Sequence, residues 1–296
     1  MSPAQRMRDL LARREPIVLG GVYDGITTRL AEAAGFEALF VGGFSVAASL
    51  LGEPDFGYLT QTEMADAARR ICRLTRRPVL VDADTGYGNA LNVLRTVELY
   101  HQAGAAGLFL EDQVWPKRCG HMRGKQVVER ADWLEKLRAV KQNPQGADLF
   151  LVARTDARAV LGLDEAIERA KAAVDLGADA TFVEAPESVA ELERIGSEVP
   201  GPKVANMLEF GRTPLLTPQE LGQLGFHLIV NPLSALLAAA RAIRDAYSLL
   251  RSSGTLRDSA DRLLLPLEQW YELVHLDEHY ATAERFHCTE GKKPTP

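Results

Sequence analysis

The chain has 296 residues, 46% hydrophobic and 25% charged, with 34 basic and 40 acidic side chains and a net charge of −6. This is the balance of a soluble globular protein with a full core, and its acidic sum argues against nucleic acid as the main partner while leaving small anionic substrates open. No apolar segment approaches the roughly 20 residues of a membrane helix, no signal-type stretch opens the chain, and Cys72, Cys119 and Cys288 show no paired spacing, so a reducing, cytoplasmic setting is expected.

In chain order, short apolar runs read as strands near Ile17–Leu19, Ala38–Val41, Val79–Asp82, Gly107–Glu111, Leu149–Arg154, Ala180–Glu184, Lys203–Asn206 and Leu228–Val230. Amphipathic stretches between them read as helices, most clearly Gln61–Thr75, Asn89–Ala103, Asp164–Leu176 and Thr217–Leu224. Alternation of this kind predicts a (β/α)8 TIM-type barrel. Three phrases, ending in Gly35, Gly104 and Gly177, each close a helix on glycine just before a strand, as short αβ loops require. A long helical tail follows Pro232, through Ala235–Arg251 and Pro266–Phe286, and its apolar residues call for a partner surface. No linker-like segment divides the chain, so residues 1–296 read as one barrel domain with a helical extension from about residue 235. Lys292–Pro296 reads as a frayed end and Cys288 as inert.

Polar residues collect where strands pass into loops: Asp82 and Asp84, Glu111 and Asp112, Arg154 and Asp156, Glu184, Asn206 and Glu209. In a barrel these ends share one rim. Acids buried together need cations. Asp82, Asp84 and Glu111 therefore read either as oxygen ligands for Mg²⁺ or Mn²⁺ or as helix caps and partners of Arg154. No His or Cys spacing supports zinc. Arg154, after the apolar Leu151–Ala153, reads as a carboxylate clamp. Cys119 lies among Lys117, Arg118, His121, Arg123 and Lys125, a setting that predicts a depressed thiol pKa and a proton-transfer role rather than a core position. Cys72, inside an amphipathic helix, reads as inert. Gly86, Gly88, Gly120 and Gly124 bracket these groups and permit hinge-like closure.

Taken together, Asp82-Ala-Asp-Thr-Gly-Tyr-Gly88, Leu110-Glu-Asp-Gln113, Lys117-Arg-Cys-Gly-His121, Ala153-Arg-Thr-Asp156, Pro54-Asp-Phe-Gly57 and Ala205-Asn-Met-Leu-Glu-Phe-Gly211 resemble the isocitrate lyase/phosphoenolpyruvate mutase superfamily. The Lys-Arg-Cys-Gly-His run is similar to that of the branch holding 2-methylisocitrate lyases, dimethylmalate lyases and carboxyphosphonoenolpyruvate mutase-like members. The resemblance implies a helix-swapped barrel with extra C-terminal helices, a homotetramer, and Mg²⁺ at the strand ends. It implies Asp82 as the direct metal ligand, with Asp55, Asp84 and Glu111 acting mainly through bound waters. Arg154, Glu184 and Asn206 match substrate-contacting positions, and Lys117, Arg118, Cys119, Gly120 and His121 match a mobile catalytic loop. Where the lyases usually carry Tyr-x-Ser-Gly-Gly, this chain reads Phe40-Val-Gly-Gly-Phe44, leaving the amides of Gly42, Gly43 and Phe44 as carboxylate donors.

The expected activity is Mg²⁺-dependent carbon–carbon cleavage of a 2-hydroxy di- or tricarboxylate to a 2-oxo acid and a second carboxylate. Phosphonopyruvate or carboxyphosphonoenolpyruvate mutase chemistry and oxaloacetate decarboxylation are the enzymatic alternatives. A metabolite-binding barrel without catalysis is the remote one.

Overall fold

Eight apolar stretches form parallel strands in the computed structural model, which describes residues 1–13 and 15–286. They are β1 (Ile17–Val22), β2 (Ala38–Val41), β3 (Val79–Asp82), β4 (Gly107–Glu111), β5 (Phe150–Thr155), β6 (Ala180–Val183), β7 (Val204–Asn206) and β8 (Leu228–Asn231). The strand order is β6-β5-β4-β3-β2-β1-β8-β7, and a parallel bridge between Thr181 and Lys203 closes the seam. Helices follow the strands in turn, so the fold is a TIM-type (β/α)8 barrel with extra C-terminal helices. Cys288 and Lys292–Pro296 lie outside the described residues.

The strands match the sequence reading to within a few residues. β1 runs on to Val22 because Gly20 pairs with Asn231 of β8, and Gly21 and Val22 pair with Phe40 and Val41 of β2. β5 starts at Phe150, since the amide of Leu149 donates to Gly146 instead of joining the sheet.

Side chains alternate along each strand and so divide the core. Leu19, Phe40, Leu80, Phe109, Phe150, Phe182, Leu228 and Val230 fill the barrel interior. Leu39, Val41, Val81, Leu108 and Leu110 face outward and pack with Met64, Ile71, Tyr100, Trp133 and Leu137 from the helices. Helix starts follow their caps. Thr60 and Glu63 form a capping box for Gln61–Cys72, and Asn89 caps Ala90–Ala103. That second helix stops at Gly104 (φ 85°), which lets β4 begin at Gly107.

The chain divides into two compact units, Met1–Leu236 and Leu237–Pro296. The second holds most of the helix Ser234–Ser253, then Ala260–Leu263, Leu267–Leu273 and Leu276–Arg285. The helical run expected over Pro266–Phe286 is broken at His275, whose φ of 56° cannot continue a right-handed helix. Among the described residues no helix is long and apolar enough to cross a membrane.

Trp133 is fully buried behind β4 and donates through its indole to the Leu110 carbonyl. Trp133→Ala is expected to lower the unfolding free energy by about 3–5 kcal/mol, read as a fall in urea midpoint at unchanged slope. A loss below about 1 kcal/mol would mean that the wall behind Glu111 is not packed as described.

Candidate active site

The turn after β3 begins with Asp82 and doubles back at Asp84 (φ 46°). It is pinned from behind: the Tyr100 hydroxyl donates to the Asp82 carbonyl at 2.6 Å, and Lys136 Nζ to the Thr85 carbonyl at 2.9 Å. Asp82 Oδ1 accepts from the Asp84 amide and Oδ2 from the Gly43 amide, at 3.0 and 3.2 Å. Gly42 precedes the first turn of the helix Gly43–Leu51, so free amides face this spot. The Gly43 amide is already engaged by Asp82, so of the three amides expected to bind a carboxylate it is the one with a protein acceptor.

After β4 the chain makes a long excursion. Its stem is a two-sided pairing, Val114 amide to Gln126 carbonyl and Val128 amide to Asp112 carbonyl, and the Gln113 side chain brackets Arg118. The tip folds back onto the barrel. The Cys119 amide donates to the Asp55 carbonyl, and Lys117 Nζ lies 2.7 Å from both Asp55 Oδ2 and Asp84 Oδ1. His121 Nδ1 accepts from the Arg212 amide at 3.1 Å, so its Nε2 carries the proton and faces Glu184 Oε1 at 3.0 Å. Asn206 Nδ2 lies 3.4 Å from both Glu184 Oε1 and His121 Nε2.

Arg154, at the end of β5, is ringed by acids. Its Nε lies 2.9 Å from Asp156 Oδ2 and 3.2 Å from Glu111 Oε2, while Nη2 lies 3.7 Å from Glu184 Oε2. Its guanidinium also lies over the Phe182 ring. Gly120 fits between Glu184 and Arg154; a Cβ there would come within 2.5 Å of Glu184 and 2.7 Å of Arg154.

Most of the residues singled out in the sequence therefore meet. Gly42, Gly43, Phe44, Asp55, Asp82, Cys119, Gly120, His121, Arg154, Glu184 and Asn206 line one small cavity of ≈ 50 Å³. Lys117, Asp84 and Glu111 sit behind that lining, joined to it by the ion pairs above. Arg118 does not reach it. Its guanidinium stacks on Phe56 and donates to the Arg123 carbonyl on the outer side of the loop.

The expected thiol pKa is overturned. Burial pushes Cys119 up to about 11, and Asp55 and Glu184 oppose the effect of Lys117. The loop's cations are spent on acids: Lys117 on Asp55 and Asp84, Lys125 on Asp156. Cys119 is thus a neutral thiol. Burial likewise pushes Cys72 up to about 12, in keeping with an inert role. For Glu184, burial favours the neutral acid, but Arg154 and His121 outweigh it and hold the carboxyl below its usual range.

The carboxylates suit a hard cation. Both oxygens of Glu111 are buried without a hydrogen-bond donor. Burial lifts Glu111 well above the usual carboxylate range and raises Asp84 despite Lys117. Among the described residues no three or more His, Cys, Asp or Glu side chains are gathered as a ready metal site. An all-oxygen set with few direct protein ligands is what Mg²⁺ takes, since it keeps several waters. The residues fit that ion.

Leu208, Val230, Pro232 and Leu233 make an apolar wall, and Phe40 and Phe182 line the cavity beside it; of these, Val230 and Phe182 carried no sequence signal beyond that of ordinary core residues. Lys125 was visible only as one more basic residue in the loop.

With Cys119 neutral, its alkylation by iodoacetamide should climb about tenfold per pH unit through pH 7–9 without levelling. A plateau near neutrality would show a thiolate and contradict the pairing of Lys117 and Lys125 with acids rather than with the thiol.

Comparison with known proteins agrees with this constellation. The family model described as phosphoenolpyruvate phosphomutase matches residues 7–251. The chain is 46% identical to a carboxyvinyl-carboxyphosphonate phosphorylmutase of Arabidopsis thaliana, covering 95% of this chain and 84% of that one. It is 40% identical to a 2,3-dimethylmalate lyase of Eubacterium barkeri, covering 95% and 99%. Among solved structures, oxaloacetate acetylhydrolase in complex with the inhibitor 3,3-difluorooxalacetate superposes with a TM-score of 0.90 at 36% identity, covering 97% of both chains.

Proposed function

The chain belongs to the phosphoenolpyruvate mutase family, within the isocitrate lyase/phosphoenolpyruvate mutase superfamily, and is an enzyme; we propose that it is a carbon–carbon lyase. Its substrate is a 2-hydroxy di- or tricarboxylate, cleaved to a 2-oxo acid, pyruvate or glyoxylate, and a second carboxylate. One observation carries this reading: the Cys119 thiol lines the same small cavity as the Arg154 guanidinium and the backbone of Gly42 and Phe44.

Asp82, with Asp84, Glu111 and Asp55 beside it, would hold Mg²⁺ (or Mn²⁺), which when bound acidifies a substrate hydroxyl and polarises the nascent oxo group. The chain's own groups do the rest. Arg154 and the amides at the start of the helix Gly43–Leu51 grip the 2-oxo acid half. The hydroxyl gives its proton to a nearby carboxylate of the buried acid cluster and becomes a carbonyl, while the C–C bonding pair moves onto the neighbouring carbon and spreads into its carboxylate as an enediolate. His121 Nε2–H and Lys117 offset that charge. Cys119 Sγ then gives its proton to the carbon, a task for which a thiol protonated at neutral pH is suited. The loop tip over the cavity excludes water, which would otherwise quench the enediolate.

The apolar exposed side chains of the second unit, among them Leu237, Ile243, Tyr247 and Leu267, support a homo-oligomer as the working form.

The decisive assay is release of a 2-oxo acid from 2-methylisocitrate, 2,3-dimethylmalate, oxaloacetate and phosphonopyruvate in Mg²⁺. Turnover of a hydroxy acid is expected, with Cys119→Ser lowering kcat about 100-fold or more. Activity on phosphonopyruvate alone would replace the lyase reading with the mutase one. Undiminished turnover by Cys119→Ser would remove the thiol from the reaction.

Separately, Mg²⁺ alone at about 100 times its Kd should add about 2.7 kcal/mol of stability, visible as a rise in Tm. Asp82→Asn should abolish that rise; a rise of the same size in the variant would place the ion elsewhere.

A further inference from the structure

Lys125 is a basic residue of the loop that, like Arg118 and Arg123, the reaction above leaves unused. Its side chain is only 2% exposed. Nζ donates to the Gly120 carbonyl and, at 2.7 Å, to Asp156 Oδ1. Gly120 is the residue between Cys119 and His121. The other oxygen of Asp156 accepts from Arg154 Nε at 2.9 Å. One ammonium group thus touches both the backbone that carries the proton donor and the acid that orients the carboxylate clamp.

Asp156 is itself held rigidly. Its amide donates to Asp112 Oδ1 at 2.7 Å, and Asp112 Oδ2 accepts from Thr155 at 2.5 Å and from Arg169 at 3.0 Å. The outer side of the loop, by contrast, borders an open cleft of ≈ 310 Å³, lined by Met122, Lys125, Val160 and Arg212 among others. Little packing presses the loop shut from that side, so polar fastenings decide its position. Lys117 and His121 are two of them, but each ends on an acid that does not contact Arg154 through a hydrogen bond. Lys125 reaches the clamp through one shared carboxylate.

We propose that Lys125 is a positioning residue that couples closure of the Cys119 loop to the orientation of Arg154, so that proton donor and clamp come into place together. The proposal rests on the reading of this cavity as the active site, and its test is chosen to be separable from that reading. A lysine retained only for fold stability would not have to act on the loop tip selectively.

The test labels the whole protein with iodoacetamide at about pH 8 without substrate, and mass spectrometry follows Cys119 and Cys72 individually. In Lys125→Met, Cys119 should label about tenfold faster while Cys72 keeps its rate, since only the loop's closed population falls. Lys125→Arg, which keeps the charge, should recover most of the protection. Wherever a substrate is turned over, kcat/KM should fall about tenfold in Lys125→Met and recover in Lys125→Arg. Equal labelling of Cys119 in wild type and Lys125→Met would overturn the proposal. So would a joint rise at Cys119 and Cys72, which marks general loosening. If Lys125→Met does not fold, Lys125→Gln, retaining a donor toward Gly120, carries the same expectation. The labelling uses no substrate, so its result stands whether or not the lyase assignment holds.

Discussion

Charge neutralisation in a space nearly closed to water governs this molecule. Asp55, Asp82, Asp84, Glu111, Asp112, Asp156 and Glu184 are all buried at one end of the barrel. Each would cost several kcal/mol if left without a cation. Arg169 answers Asp112, Lys125 and Arg154 answer Asp156, and Lys117 answers Asp55 and Asp84. Glu111 shares Arg154 at 3.2 Å and is otherwise without a donor. The cluster is therefore close to neutral on the Arg169 side and short of positive charge on the Asp82–Glu111 side. That asymmetry separates a scaffold half from the half where the proposed divalent ion and anionic substrate would bind.

The barrel explains why such distant residues can act together. Parallel strands with helices between them put every strand end on one rim, and the pairing of Glu111 with Arg154 in adjacent strands is set by register alone. This part was legible in the chain, because strand periodicity and glycine-ended helices are local properties. The break at His275 was not, since a single residue in the left-handed region leaves no trace in an otherwise helical pattern.

The site was legible to a different depth. Its acids, Arg154 and the Cys119 loop were visible because charged residues at the ends of apolar runs are conspicuous. The state of the thiol was misread for a definite reason. Counting the basic residues around Cys119 shows which cations are near in sequence and not which acids face them across the fold. Lys117 is claimed by Asp55, Lys125 by Asp156, and Arg118 turns to Phe56. Pairing of this kind is a property of the tertiary structure, as is the apolar wall of Leu208, Val230 and Leu233.

The loop after β4 also divides by its freedom to change. Arg123 and Gln126 are exposed, whereas Lys117, Gly120, His121 and Lys125 each bear on a partner across the cavity mouth. Diversification confined to the outer positions would retune how quickly the mouth opens to solutes without disturbing what happens inside. For an engineer this makes the rim a throttle: ingress and egress can be adjusted on one surface while the groups lining the cavity keep their places on the other.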